Sequence, residues 1–508
     1  MTSPTVAVAG PSELAAEAGA EVARAGGNAV DVALAASLVT MVNEVGIVSL
    51  SSGAFVTVQP PGDAAPTTVD GWVEMPGRGA DPGRFGSGTW DVTTAYGGGV
   101  TATIGAGSVG THGGVMALGE AHRRWGSLPW ASVVAPAIEV ARGGFAIGSA
   151  SRHYLSYVHD EIFGWDAFSR DALHDADGEL REHVVVDGLA DTFRAIATEG
   201  PSAMYTGSVG TRIADAVQRL GGLMTRDDLA AYEVVVRPSL TARAGSWTLG
   251  TNPHPSVGGI CVAAMLSLMD DRPRDRWTTD DVAHLLEVQR AVLGHRVSTL
   301  DTAPDLGEAA RSFLALADED GLRALESPST THVSAVDAGG GACSVTASSG
   351  YGSGVMAGDT GVWLNNCLGE PELNRFGRHA LPPGTRLRSN MAPTVGRRDD
   401  GAVLAVGSPG ADRISTAVAQ VVAGFAGGMS LVDAVDHPRV HVRVPGHGRV
   451  TEVVDHEAGA PLPDGLGETL AYPAHDMYFG GVAAALHDPV LGLSAAADPR
   501  RSGGVRVV

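Results

Sequence analysis

Two short segments in the C-terminal half of the chain, residues 331–337 and 342–348, alternate between side chains of different character. Alternation of this length is typical of β-strands. The run between them, Asp337 to Gly341, ends in three glycines, which tolerate the positive φ angles of a tight turn. The pattern therefore predicts a β-hairpin that carries Thr330 at its leading end.

The residues before this hairpin predict a change from helix to loop. Ala324 to Ser329 has the composition of a fraying helix end followed by a loop that contains Pro328. The peptide bond between Ser329 and Thr330 therefore lies where an extended strand begins. Such a bond can be held in an accessible geometry.

Helical spacing of apolar residues is frequent in the first two-thirds of the chain. It predicts an amphipathic helical region from Pro11 to Val39, interrupted at Gly26 to Asp31, where glycine can end one helix and Asn28 can cap the next. A mainly helical pattern runs from Trp130 to Asp270, and a further helix covers His284 to Asp301. Together with the hairpin, these elements predict a mixed α and β fold with several layers.

Length and composition narrow the class of protein. The chain has 508 residues, of which 44% are hydrophobic, so it is globular and too long for one simple core. It lacks any apolar run of about 18 residues, and Met1 to Pro4 provides no basic segment, so we expect a cytoplasmic protein without a membrane partner. A net charge of −22 argues against nucleic acid as a partner.

The cysteines and a glycine-rich motif argue against disulfide, zinc and dinucleotide sites. Cys261, Cys343 and Cys367 are odd in number and lack CxxC spacing, which indicates buried, reduced thiols. Gly105 to Gly110 matches GxGxxG after strand-like residues 100–104, but no acidic residue follows at the distance that a dinucleotide requires. The glycine run therefore does not indicate a nucleotide cofactor.

The histidines do not indicate a metal-binding site either. The 17 histidines are scattered, and His437 and His441 flank Arg439 at strand spacing, which a packed strand explains more simply than a metal site does. Neither an HExxH helix nor a GxSxG elbow is present. We expect no metal and no cofactor.

The absence of lysine restricts the chemistry further. All 35 basic residues counted as Lys or Arg are arginine, a composition that suggests a GC-rich, actinobacterial genome. Arginine stays protonated and cannot act as a base, so a threonine nucleophile would need a histidine, a carboxylate or a freed α-amino group. An α-amino group at Thr330 would have a pKa of roughly 7.7 to 8 and could reach its own hydroxyl.

Thr330 to Asp337, Gly361 to Asn366 and Gly26 to Asp31 resemble motifs of the γ-glutamyltranspeptidase family. Similar segments follow in the family's order over nearly the whole chain: Gly110–Val115, Pro136–Phe145, Gly221–Leu229, Pro255–Gly259, His284–Asp301, Ser408–Gly410, His437–Arg439 and Ala497–Arg500. In that family the precursor cuts itself, and the new N-terminal threonine becomes the nucleophile.

The resemblance implies both a fold and a division of the chain. The fold is the α+β, four-layer αββα sandwich of the N-terminal nucleophile hydrolases. Cleavage between Ser329 and Thr330 would give a mainly helical large fragment, 1–329, which also contributes part of the sheets, and a small catalytic fragment, 330–508. The two fragments would form a tight heterodimer. Assembly of this heterodimer into a higher oligomer is a further alternative.

Catalytic roles are likewise implied by the resemblance. Thr330 would be nucleophile and base, and Thr346 or Ser348 would hydrogen-bond to it. Gly410 and Ala411 match the paired glycines whose N–H groups form the oxyanion hole, and alanine at the second position keeps its N–H.

The substrate pocket departs from the family's pattern. A shortened motif leaves Arg78 as the candidate for binding a substrate carboxylate. Ser389 and Asn390 replace paired serines, while Cys367 and Glu370 stand where glutamine and aspartate bind the α-ammonium group. Since Cys367 accepts hydrogen bonds poorly, we expect weakened γ-glutamyl recognition and an altered substrate.

Three hypotheses follow for the function. The first is an N-terminal threonine hydrolase or acyltransferase that forms a Thr330 acyl-enzyme with a small amino-acid-like or acylated substrate other than glutathione. The second, by analogy with actinobacterial relatives in 4-alkylproline antibiotic pathways, is hydrolysis of a C–C bond. The third is a homologue that binds a ligand without catalysis.

Overall fold

The fold is described from a computed structural model that covers residues 5–94, 101–317, 330–371, 373–445 and 450–508. Its strands are β1 (Val6–Gly10), β2 (Gly53–Gln59), β3 (Thr67–Gly71), β4 (Trp90–Thr93), β5 (Thr101–Ile104), β6 (Phe145–Ala146), β7 (His183–Val184), β8 (Val235–Pro238), β9 (Leu240–Ala244), β10 (Trp247–Thr251), β11 (Thr331–Asp337), β12 (Ala342–Ser348), β13 (Thr394–Arg398), β14 (Val403–Gly407), β15 (Val440–Arg443), β16 (Val453–Glu457), β17 (Glu468–Tyr472), β18 (Ala483–Asp488), β19 (Gly492–Ala497) and β20 (Gly504–Val507).

The α-helices lie mainly in the first two-thirds of the chain. They are α1 (Glu13–Arg24), α2 (Ala29–Asn43), α3 (Gly114–Trp125), α4 (Trp130–Gly143), α5 (Ser149–Phe163), α6 (Ala167–Leu173), α7 (Leu189–Glu199), α8 (Ser208–Arg219), α9 (Arg226–Ala230), α10 (Val257–Leu268), α11 (Thr279–Ser298), α12 (Leu306–Ala317), α13 (Arg413–Ala426) and α14 (Leu431–Asp436).

Two antiparallel sheets face each other in the middle of the molecule. The first has the order β20–β1–β11–β12–β2–β3–β8, and the second has the order β19–β18–β14–β13–β10–β9. Apolar side chains of β1, β11 and β12 meet those of β13, β14 and β18 between the sheets. Helices α1 to α3 cover the outer face of the first sheet, while α10 and α13 cover that of the second. This helix–sheet–sheet–helix order confirms the predicted four-layer α+β sandwich.

The hairpin predicted from residues 331–348 is confirmed. Strands β11 and β12 pair with His332 opposite Thr346. Asp337 accepts hydrogen bonds at Oδ1 from the N–H groups of Gly339 and Gly341, each at 2.9 Å, and so closes the turn. Nearly every residue of both strands is buried, because one face packs under α2 and the other faces the second sheet. Alternate side chains of each strand therefore point to two different buried surroundings, the helix α2 on one face and the second sheet on the other.

The turn from Gly26 to Asp31 joins α1 to α2 as predicted. Asn28 caps α2 by accepting from the N–H groups of Val30 and Asp31, and Asp31 accepts in return from the Asn28 N–H. One expectation was wrong: α2 is not amphipathic, since all of its residues are buried. It lies between the first sheet and α4, and therefore has no face in water.

The predicted helical stretch from Trp130 to Asp270 needs a correction. Helices do dominate its first hundred residues, but β8, β9 and β10 follow between 235 and 251. These strands are only four or five residues long, and their alternating pattern is too short to stand out beside the surrounding helices. The helix predicted from His284 to Asp301 is confirmed as the greater part of α11.

Other predictions have mixed outcomes. All three cysteines are buried and free, as expected. The strand expected from 100 to 104 begins at Thr101, and Val100, Met1 to Pro4 and Ala324 to Ser329 lie outside the described residues. Within the described ranges, no helix combines the length and apolar character of a membrane span, and no cluster of three metal-binding side chains occurs.

Candidate active site

Thr330 lies immediately before β11 and is only 2% exposed. In the register of β11 and β12, Thr331 is opposite Ala347 and His332 is opposite Thr346. Continuing this register by one residue places Thr330 opposite Ser348. Residues two apart on a strand share a face, so Thr330 lies on the same face as His332. The predicted nucleophile therefore lies where β11 begins and β12 ends, on the face turned to the second sheet.

A buried histidine connects this strand end to the second sheet. The His332 ring contacts Thr346 Oγ1 at 2.8 Å through Nδ1 and Ser334 Oγ at 2.9 Å through Nε2. Burial lowers the pKa of His332 to about 3, so the ring is neutral at ordinary pH. The ring lies so close to Gly407, at the end of β14, that a Cβ there would come within 2.3 Å of it. The Thr346 hydroxyl therefore helps to hold the His332 ring in place.

The loop after β14 carries the predicted oxyanion-hole residues. Gly410 has φ +119° and Ala411 has φ +70°, and both come just before α13. Their carbonyls accept from the N–H groups of Arg413 and Ile414, at 3.1 and 3.2 Å. Among the described residues, neither Gly410 nor Ala411 donates its own N–H to a partner. Two consecutive free donors at a helix N-terminus suit an anionic oxygen.

The turn after β12 brings Glu370 to the same end of the strand. Ser348 accepts at Oγ from the Gly350 N–H at 3.0 Å. A Cβ on Gly350 would lie 2.2 Å from Asn366 Oδ1 and 2.7 Å from Glu370 Oε1, so only glycine allows this approach. The Glu370 carboxylate thus lies against Gly350, which follows Ser348 by two residues. Ser348 is the residue opposite Thr330. Cys367 is fully buried nearby, and burial raises the pKa of its thiol well above the ordinary value.

Asn365 binds Gly110, the last glycine of the run that resembled a nucleotide motif. Its Oδ1 accepts from the Gly110 N–H at 3.0 Å, and its Nδ2 donates to the carbonyls of Gly110 at 2.9 Å and Ser51 at 2.8 Å. Asn365 therefore holds Gly110, the last glycine of the run, by two hydrogen bonds. This pairing was not predictable from local sequence patterns, because the partners are 255 residues apart.

The predicted substrate-binding pair lies in the segment that leads into β13. The Ser389 hydroxyl accepts from the Met391 N–H at 3.1 Å, and the backbone of Ser389 bridges to Ser256. Asn390 Oδ1 accepts from Arg296 Nη2 at 2.7 Å. Both residues are buried. Arg296, from α11, was not among the predicted site residues.

Arg78 lies among carboxylates. Its Nη1 is 3.5 Å from Glu74 Oε2 and 3.6 Å from Asp228 Oδ1, and its side chain is 31% exposed. Arg386 approaches the same Glu74 at 3.3 Å and packs over the Tyr232 ring. Arg78 therefore already has two anionic partners, and no contact in the described residues links it to the Thr330 strand end.

Comparison with known proteins gives a consistent result. The family model for gamma-glutamyltranspeptidase matches residues 15–508. A glutathione hydrolase proenzyme of Pseudomonas aeruginosa is 30% identical, over 98% of this chain and 93% of its own length. The proenzyme of acylase ACY 1 from Pseudomonas sp. (strain SE83) is 28% identical, over 96% of this chain and 91% of its own length.

A solved structure supports the fold independently. The crystal structure of cephalosporin acylase from Bacillus halodurans superposes with a TM-score of 0.80 and covers 100% of this chain and 96% of its own. The two sequences are 21% identical, so this likeness shows the shared fold alone.

Proposed function

This chain belongs to the γ-glutamyltranspeptidase family, and on that premise we propose that it is a self-processing N-terminal threonine hydrolase or acyltransferase. Cleavage between Ser329 and Thr330 would consume one water, leaving a carboxylate on Ser329 and an α-amino group on Thr330. That amino group would take the proton of the Thr330 hydroxyl as the oxygen attacks a substrate carbonyl. The tetrahedral intermediate would collapse as the substrate's C–N bond breaks and the leaving amine takes that proton, which gives the acyl-enzyme. Water or a second amine would then attack the acyl group and give up a proton through the α-amino group to the Thr330 oxygen, which is released.

The single observation that carries this proposal is a contact between the two sheets: the His332 ring, on the same face as Thr330, lies against Gly407 at the end of β14, three residues before Gly410. Thr330 lies opposite Ser348 on the face turned to the second sheet, and β14 packs across β11 and β12 on that face. The loop after β14 presents Gly410 and Ala411. Such donors, fixed before the reaction, stabilise the tetrahedral oxyanion and commonly contribute about 10²- to 10³-fold to turnover.

The sheet order supports two fragments that remain together. Strand β11, at the start of fragment 330–508, pairs with β1 of fragment 1–329, and β12 pairs with β2. In the second sheet, β13 pairs with β10 across the same division. Separation would break both sheets and expose the core between them, so a cleaved protein would persist as a heterodimer.

The residues around the nucleophile favour a substrate other than glutathione. Cys367 is a buried thiol without useful acceptor capacity, and Arg78 is paired with Glu74 and Asp228. Glu370, which lies against Gly350, remains a candidate for binding a substrate cation. The acylase names among the relatives support a wider range of acyl substrates. A small amino-acid-like or acylated substrate fits these features best.

Substitution of the nucleophile tests this proposal. We expect Thr330→Ala to abolish both self-cleavage and turnover, whereas Thr331→Ala, which changes the next residue, keeps both. The assay panel is a γ-glutamyl anilide, a cephalosporin-type side-chain amide and acyl-proline analogues with a cleavable C–C bond. Turnover of the acyl-proline analogues alone would favour the C–C hydrolase. An active, uncut Thr330→Ala protein would contradict the proposal, and a cleaved protein that binds but never turns over would favour the ligand-binding homologue.

A further inference from the structure

A buried carboxylate lies directly after the proposed oxyanion donors. Asp412 follows Ala411 in the chain, is the N-cap residue of α13 and is only 1% exposed. Among the described residues, its side chain accepts no hydrogen bond from an N–H group in the first turn of α13. A second negative charge beside an oxyanion opposes catalysis, so the pairing of this carboxylate matters to the reaction.

An arginine and a histidine face the two oxygens of this carboxylate. Asp412 Oδ1 accepts from Arg413 Nη1 at 2.6 Å, and Oδ2 lies 3.4 Å from Nε2 of His441, a buried residue of β15. Burial opposes the charge of Asp412, but the charge of Arg413 and the hydrogen bond from His441 outweigh it and lower the pKa. Within the described ranges, neither Oδ2 nor Nε2 has another hydrogen-bond partner. A proton between these two buried atoms satisfies both of them.

The second ring nitrogen of His441 shows which nitrogen holds that proton. His441 Nδ1 lies 3.1 Å from Thr416 Oγ1, which also lies 3.1 Å from the Arg413 carbonyl oxygen. If the Thr416 hydroxyl donates to Nδ1, a neutral ring must carry its hydrogen on Nε2. If the hydroxyl donates to the carbonyl, Nδ1 must donate in turn, and a carboxylate facing Nε2 favours the doubly protonated ring. Nε2 therefore carries a hydrogen toward Asp412 in both arrangements.

The other carboxylate near His441 does not compete for this hydrogen. Asp455 is opposite His441 in the register of β15 and β16. Its Oδ1 accepts from Arg443 Nη2 at 2.5 Å, and its Oδ2 accepts from the Tyr478 hydroxyl at 2.6 Å. Asp412 is therefore the acceptor that remains for Nε2 of His441.

Asp412 also lies between two hydrogen bonds that shape the donor loop. The Arg413 N–H donates to the Gly410 carbonyl at 3.1 Å, and the Ile414 N–H donates to the Ala411 carbonyl at 3.2 Å. The Gly410 carbonyl and the Ala411 N–H share one planar peptide unit, so the first of these bonds sets the direction of that N–H. A hydrogen bond from β15 to the Asp412 side chain therefore restrains the residue that both bonds span.

We propose that His441 is a positioning residue for the reaction: its Nε2–H holds the Asp412 carboxylate and thereby fixes the two N–H donors of the loop after β14. The inference rests on the proposed function, in which the N–H groups of Gly410 and Ala411 stabilise the oxyanion. Without His441, an ionised aspartate at an N-cap position is free to accept from the helix N–H groups, which changes the loop. The same hydrogen bond directs the charge of Asp412 away from the oxyanion.

Two variants of similar size test the proposal. His441→Gln keeps an N–H donor at the reach of Nε2, whereas His441→Met has a similar length and no donor. We expect His441→Met to lower kcat of the processed enzyme by about tenfold and to leave KM within about twofold, because the oxyanion forms only in the transition state. His441→Gln should keep kcat within about threefold of the wild type.

A double substitution shows whether His441 acts through Asp412. Asp412→Asn removes the charge at the same volume. In that background, His441→Met should lower kcat by less than about twofold, because the carboxylate that it would release is absent. A merely structural role of His441 would give the same loss in both backgrounds.

Hydrogen exchange of residues 408–416, followed by mass spectrometry, tests the link without turnover. Exchange of the Arg413 and Ile414 N–H groups should be at least about fivefold faster in His441→Met and unchanged in His441→Gln. Unchanged exchange in His441→Met, equal kcat losses in both variants, a change in KM alone, or a full further loss in the Asp412→Asn background would overturn the proposal. Exchange is measured on the cut or the uncut chain, and fragment masses are measured separately, so this failure is distinct from failure of the proposed function.

Discussion

Gly410 and Ala411 show how single backbone positions shape the loop after β14. Ala411 holds φ +70°, a conformation that costs a residue with a Cβ roughly 1 to 2 kcal/mol. From the sequence, the family resemblance proposes this pair as oxyanion donors, because the motif around it is local, and that role stays a prediction. The sequence did not predict His332 or Arg296, whose partners Gly407 and Asn390 are 75 and 94 residues away. Residue roles that depend on such distant pairings are not encoded in local spacing.

Gly410→Ala should damage the loop that we propose to stabilise the oxyanion. Gly410 has φ +119°, and an added Cβ would lie 2.7 Å from the Gly480 Cα, a backbone atom that cannot move aside. We expect turnover of the accepted panel substrate to fall at least about tenfold, toward the 10²- to 10³-fold loss seen when an oxyanion donor is removed. The measurement is kcat on the processed enzyme.

Ala411→Gly is the matched control for that substitution. Relief of the φ strain would be offset by the lost methyl burial, about 0.8 kcal/mol, and by the freer unfolded chain, about 0.4 to 1 kcal/mol. Turnover and stability should therefore stay close to those of the wild type. Equal turnover of Gly410→Ala and Ala411→Gly would show that the geometry of this loop does not matter.

At the scale of elements, the turn between α1 and α2 is a buried polar junction. Besides closing the capping box, Asp31 accepts from the N–H groups of Ser127 at 3.0 Å and Leu128 at 3.2 Å. The hairpin and this turn were predictable because their signals, a glycine turn and a cap, are local in sequence. The short strands β8 to β10 were not, since pairing across the sheets decides their conformation.

Asp31→Asn should weaken this junction. The new amide N–H₂ group would face backbone N–H donors, leaving buried donors unsatisfied at a cost of about 1 to 3 kcal/mol in the free energy of unfolding. Urea denaturation measures the change. The exposed Asp63→Asn substitution is the control and should stay within about 0.5 kcal/mol of the wild type. Equal effects of the two substitutions would mean that the junction contributes nothing specific.

At the scale of the whole molecule, acidic charge is not confined to the surface. Glu44, at the end of α2, is fully buried, and burial raises its pKa to about 7. Its Oε2 accepts from Ser151 Oγ at 2.9 Å, and its carboxylate fills the space that a Cβ on Gly148 would occupy. The folded protein therefore keeps a proton that the unfolded chain loses near pH 4.5.

A pH dependence of stability follows from Glu44. Because its folded pKa lies above its unfolded value, its contribution to stability is fully present below about pH 4.5 and is lost as the pH rises to about 7. Glu44→Gln does not titrate, so its stability relative to the wild type should increase by up to about 3 kcal/mol between pH 4.5 and 8. Urea unfolding of both proteins in the Thr330→Ala background, which keeps one chain, measures the difference. A difference that is independent of pH would rule out this titration.

Self-cleavage before Thr330 is the central claim. It is supported by the position of Thr330 before β11, by the pairing of strands from residues 1–329 with strands from residues 330–508, and by membership of the family. The most direct test is the denaturing mass of the purified wild-type protein, with N-terminal sequencing of the smaller fragment. The account predicts two fragments, the smaller beginning at Thr330, and one intact chain for Thr330→Ala. An intact wild-type chain, or a cut at another bond, would contradict it.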